Sequence, residues 1–136
     1  MASSSTKVSS SGVWKAGGLA AVASAAVNAV LYFLGRAIGS FPDTALNPMG
    51  RPVDLFAVVL LSVMSVLAGT LVYWLLASRM DRPRANRLFT IIAIVVVVVM
   101  IPSPFFVQGA PVSQIVIMEI MHLVAAAAAI FFLTRR

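Results

Sequence analysis

The chain contains no cysteine, one histidine and four acidic residues, of which only Glu119 is a glutamate. Without cysteine there are no disulfides, no thiolate metal sites and no thiol-redox chemistry. Electron transfer through cysteine pairs, a route open to small four-helix membrane oxidoreductases, is excluded. With His122 alone, a bis-histidine haem would need two copies of the chain. A single glutamate also excludes a dinuclear carboxylate site, which needs two Glu-x-x-His motifs and two further glutamates. Charge of either sign is scarce, at 10% of 136 residues; soluble domains carry about 25%.

What fills the space is apolar: hydrophobic residues make up 61% of the chain. A soluble domain this small buries too little surface to hide them, and disordered chains are polar. Lipid is the solvent this composition suits. The net charge of +6 does not indicate a nucleic-acid partner. Its basic residues lie at the chain ends and between apolar runs, not on one solvated face.

Four apolar runs predict an all-α fold, a bundle of four transmembrane helices. Residues 1–15 are Ser-rich and are expected to form a flexible polar tail before a single domain over 16–136. From Ala16 to Leu34 no residue is charged, about the length a helix needs to cross a bilayer. Lys7, Lys15 and the small residues Ala23-Ser24-Ala25 allow a cleaved signal. The apolar run continues past them, which favours a retained anchor helix over about 16–38. Three prolines and two glycines between Gly39 and Pro52 mark a loop. The second helix is expected over 53–77, with Tyr73 and Trp74 as interfacial aromatics. Pro83, with Asp81 as cap, opens the third over 83–101. Pro102, Pro104, Gly109 and Pro111 then break the uncharged stretch, and the fourth helix follows over 112–133. Phe105 and Phe106, in the loop so formed, are expected to dip into the interface.

Four spans place Lys7, Lys15, Arg79, Arg82, Arg84, Arg87, Arg135 and Arg136 on one side, and only Arg36 and Arg51 on the other. The positive-inside rule then makes both termini cytoplasmic. Lipid supplies no hydrophobic drive between helices, so small residues are expected at their contacts. Gly17, Ala21, Ala25 and Ala29 offer such a face towards the fourth helix, as do Ser62, Ser65, Ala68 and Gly69 in the second and Ala125–Ala129 in the fourth.

Polar residues inside the apolar runs carry whatever function is legible, because charge in a membrane is costly. Glu119 and His122 are three apart on one helical face. Asn28, Tyr32 and Arg36 form a stripe at four-residue steps. The two sets are expected to face one another near the outer surface, with Asn28 beside His122 and Arg36 or Arg51 pairing with Glu119. Asp54 is expected to cap the second helix, or to pair with Arg51 or Arg36. A mononuclear metal site of Glu119, His122 and Asp54 is a further arrangement of the same residues. One reading of this cluster is glue between helices; the other is an outward-facing site for a proton, ion or small polar ligand. No nucleophile–base pair, phosphate loop or nucleotide fingerprint occurs, and no cofactor is expected.

The residues Ala26-Val-Asn-Ala-Val-Leu-Tyr32, the Arg-rich segment after the second run, the Pro102-Ser-Pro104 break and Met121-His-Leu-Val-Ala-Ala126 resemble an uncharacterised family of small four-helix membrane proteins, common in actinobacteria. More distantly, the architecture is similar to DoxX-type proteins. The resemblance implies the bacterial inner membrane and assigns no activity. Small multidrug transporters carry their essential glutamate in helix 1, which has none here. The expectation is a non-enzymatic membrane protein, alone, as a homo-oligomer or as a subunit of a complex. A small transporter or ligand binder using Glu119 and His122, or a redox or metal-dependent enzyme subunit, are the alternatives.

Overall fold

The computed structural model describes residues 8–135 and is all-helical, with four long helices. They are α1 (Ser10–Ala37), α2 (Leu55–Arg79), α3 (Arg82–Met100) and α4 (Val112–Thr134), with a short 3-10 turn, Ser103–Phe106, between the last two. All four hydrophobic segments are long and apolar enough to cross a membrane. The helix limits follow local chemistry. The Asp54 carboxylate accepts from the Ala57 amide at 2.7 Å and starts α2, and Asp81 does the same for α3 through the Arg84 amide at 3.4 Å. Each satisfies one of the amides that a helix start leaves unpaired. After α3, Pro102 and Pro104 cannot donate to a continuing helix; Gly109 turns the chain at a φ of 73° and Pro111 leads into α4.

The first helix starts at Ser10, so residues 10–15 do not belong to a polar tail; residues 1–7 of that expected tail lie outside the described residues. Serine composition concealed two anchors. Val13 is fully buried, and the Ser10 hydroxyl accepts from the Trp74 indole at 3.0 Å.

The helices run up and down, and α1 lies between α2 and α4, making the two largest interfaces of the bundle. Small side chains permit the close approach, as expected without a hydrophobic drive. Gly17 meets Thr70 so closely that a Cβ on it would collide with the threonine side chain. The packed stripe of α1 runs through Ala16, Ala20, Ser24 and Asn28; Ala25 and Ala29, two residues of the expected face, are half-buried. Val13, Val66, Tyr73, Phe89 and Leu133 form an apolar cluster at the end carrying the termini. Tyr32, Phe41, Val58 and Met121 form a second at the loop end.

Helix α3 is held differently. Its buried residues, Ala85 and Phe89, both lie in its first half. There Tyr73 is a core residue, not the interfacial aromatic expected. Its ring meets Phe89 edge-on at 5.3 Å, its hydroxyl donates to Asn86 Oδ1 at 2.7 Å, and Asn86 Nδ2 donates to the Thr134 carbonyl at 3.0 Å. One asparagine thus joins α2, α3 and α4. Beyond it, Ile94–Ile101 stand largely exposed. At the loop end, Leu46 and Gln108 exchange two backbone hydrogen bonds, of 3.0 and 2.8 Å, and clasp the two loops together. Pro104 and Val107 are buried beneath that clasp, while Phe105 and Phe106 are each 63% exposed.

Candidate functional site

The six polar residues singled out in the sequence do not form one cluster. Asn28 sits between the two apolar clusters, 2% exposed, and its Nδ2 donates to the Ser62 hydroxyl at 2.8 Å and the Met121 carbonyl at 3.3 Å. It joins α1, α2 and α4, and it reaches the residue before His122, not His122 itself. Tyr32 donates to the Val53 carbonyl at 3.4 Å and packs its ring on Phe41 at 5.1 Å. Both residues are used in holding helices.

Arg36 does not pair with Glu119. Its Nη1 donates to the Phe41 carbonyl and to Asp43 Oδ1, each at 2.8 Å. The reason is local. Asp43 is seven residues away in the loop that follows α1, so short-range closure supplies a countercharge without reaching across the bundle. Asp54 takes the capping role among the alternatives open to it. Among the described residues, no three His, Asp or Glu side chains come together as a metal would require, so the set of Glu119, His122 and Asp54 is not assembled.

Glu119 and His122 remain as a pair on α4. His122 Nδ1 lies 3.7 Å from Glu119 Oε2, and the side chains are 25% and 29% exposed, glutamate and histidine respectively. Glu119 Oε1 and His122 Nδ1 are buried atoms with no hydrogen-bond partner. No arginine or lysine among the described residues forms a salt bridge with Glu119. The pair is not aimed at the α1 seam, where α4 presents Met121 to Asn28. It belongs to another stripe. Glu119, Leu123, Ala126 and Ile130 follow at steps of four, three and four, and His122 stands four before Ala126, so all five share one side of the helix.

That side borders a groove. Ile94, Val97, Val98 and Ile101 of α3 form one wall. Leu123, Ala126, Ala127 and Ile130 of α4 form the other, and the open groove between them has a volume of about 460 Å³. Every lining side chain is apolar. The groove exists because α3 packs only through its first half, and because Ala126 and Ala127 leave a low floor on α4.

Sequence reasoning missed two other polar groups, one half-buried and one buried. Asn86, in a segment noted for its arginines, is the three-helix tie described above. Gln114 is 1% exposed in the first turn of α4, with Oε1 unpartnered. Its signal was available: a polar side chain in a largely apolar span, like Glu119 and His122 in the same helix.

The chain matches the model of DUF6069, a family of unknown function, over residues 8–136. It belongs to that family. No curated protein and no solved structure matches it. Four apolar spans and membership of DUF6069 together describe a small multi-pass membrane protein whose family carries no assigned activity.

Proposed function

We propose that this DUF6069 member is a non-enzymatic, ligand-binding protein of the bacterial cell membrane, with cytoplasmic termini, and that Glu119 and His122 are its recognition pair. The observation that carries the reading is the position of this pair. Buried polar groups in membrane bundles commonly tie helices together, and here Asn28, Tyr73 and Asn86 do so through bonds of 2.7–3.3 Å. Glu119 and His122 stand on the groove side of α4 and bond to no other helix, whereas Asn28, whose Oδ1 is also unpartnered, ties three helices through its Nδ2. Ionisable side chains within a span mark functional sites. A role in packing does not account for this pair, whereas binding does. The basic residues support the orientation, eight against two by side.

The test compares stabilities. Glu119→Gln and His122→Gln, in purified protein in detergent, should leave the unfolding midpoint unchanged or raise it. Asn28→Ala should lower stability by about 1–2 kcal/mol, since membrane hydrogen bonds average about 0.6 and reach about 1.7 each. A Glu119→Gln variant as unstable as Asn28→Ala would return Glu119 to a structural role and overturn the reading.

A further inference from the structure

We infer that the groove between α3 and α4 takes a single-chain amphiphilic cation, its positive head on Glu119 and its apolar tail along α4. The inference rests on the recognition pair proposed above and names its ligand class.

Two independent features converge. The first is a carboxylate that pairs with no arginine or lysine among the described residues. Arg36 is engaged by Asp43, and the neighbour of Glu119 is His122 at 3.7 Å, beyond hydrogen-bond reach. A partly buried carboxylate left bare is costly; a positive ligand head relieves that cost. The second is the surface that continues from it. Leu123, Ala126 and Ile130 carry the Glu119 stripe into a groove with no polar side chain in its lining. From Glu119 to Ile130 is eleven residues, roughly 16 Å along a helix rising 1.5 Å per residue. That length suits an extended hydrocarbon tail.

The directions also agree. Helical side chains lean towards the N-terminus of their helix, so the Glu119 carboxylate points to the loop end of the bundle. The groove runs from there towards the end carrying the termini. A ligand so placed has its head near one membrane surface and its tail inward, the posture of a bilayer amphiphile. Access is lateral, because Ile94, Val98 and Ile101 of α3 and Leu123 of α4, which line the groove, are themselves about half exposed. An anionic head would meet Glu119 with like charge, and a neutral head would leave the carboxylate uncompensated.

The experiment uses the full chain in phosphatidylcholine nanodiscs and a photoactivatable alkyltrimethylammonium carrying a diazirine in its tail. Labelled peptides are mapped by mass spectrometry. Unlabelled dodecyltrimethylammonium and dodecanol then compete. Labels should fall on 94–101 and 123–130, and the cation should compete about tenfold or more better than the alcohol, as a charge-assisted contact implies. Glu119→Gln should abolish that preference while tail labelling persists. Ala127→Phe, on the groove floor, should reduce labelling by either probe, and its circular dichroism would confirm an intact bundle. Equal competition by cation and alcohol, or a preference that survives Glu119→Gln, would overturn the inference. So would labels spread evenly over the lipid-facing surface. These failures leave the stability test of the recognition pair untouched, so the two readings fall separately.

Discussion

The Tyr73 hydroxyl and the Asn86 side chain meet at 2.7 Å at the one place where α3 is firmly joined to the rest of the bundle. Asn86 passes the connection to the Thr134 carbonyl at 3.0 Å, so two hydrogen bonds and the Phe89 ring secure three helices at one depth. Asn86→Ala should therefore cost about 1–2 kcal/mol, two membrane hydrogen bonds' worth. Tyr73→Phe removes one of them and should cost less. Chemical unfolding in mixed micelles checks both; equal stability of Asn86→Ala and wild type would show that packing alone holds α3.

Gly17 and Gly18 make a matched pair for a second prediction. A methyl group on Gly17 would strike Thr70, whereas one on Gly18 would meet nothing within 4 Å. Gly18→Ala should be neutral or stabilising, gaining up to about 1 kcal/mol of helix propensity. Gly17→Ala should destabilise by about 1–3 kcal/mol, the usual range for overpacking. Thr70→Ala removes the two nearest obstructing atoms and should recover part of the loss in a double-mutant cycle.

The helix cap at Asp54 gives a third. Asp54→Ala deprives the Ala57 amide of its partner and should cost about 1 kcal/mol. Asp54→Asn should retain most of the stability, because its side-chain oxygen still accepts. Melting curves of the three proteins in the same detergent would order them; identical loss in both variants would argue for a charge effect in place of capping.

Orientation can be read directly, because the natural chain has no cysteine. Met49→Cys and Ser78→Cys place single thiols at exposed positions on opposite ends of the bundle. In intact cells an impermeant maleimide should label the first and not the second. The reverse pattern would invert the topology, and labelling of both would break the four-span arrangement.

The spans were legible because uncharged length is a one-dimensional property. Charge or proline interrupts the chain at Gly39–Pro52, at Ser78–Arg87 and at Pro102–Pro111, and one helix junction falls in each, although α3 already starts at Arg82, inside the second. Asp81 and Asp54 as caps were legible for the same local reason. Partners across helices were not. Arg36 had one acidic residue in the adjoining loop and another across the bundle, and sequence spacing does not weigh the two. Tyr73 looked like a belt residue because its neighbour across space, Asn86, lies beyond a turn. The half-packed state of α3 left no trace either. Lipid and protein interior are equally apolar, so a valine facing lipid and a valine facing α4 read alike, and the groove beside Glu119 is visible only in the folded protein.

The central place of α1 sets a clock on assembly. Its contacts with α2 are available as soon as the first hairpin is in the membrane, but Asn28 must wait for the Met121 carbonyl, 93 residues later in the chain. At ordinary synthesis rates that interval is roughly 5–20 s. For that time one small-residue face of the first helix is open to lipid and to any other helix nearby. A ribosome stalled after α3 would leave a product that spans the bilayer three times with its first helix still unfinished.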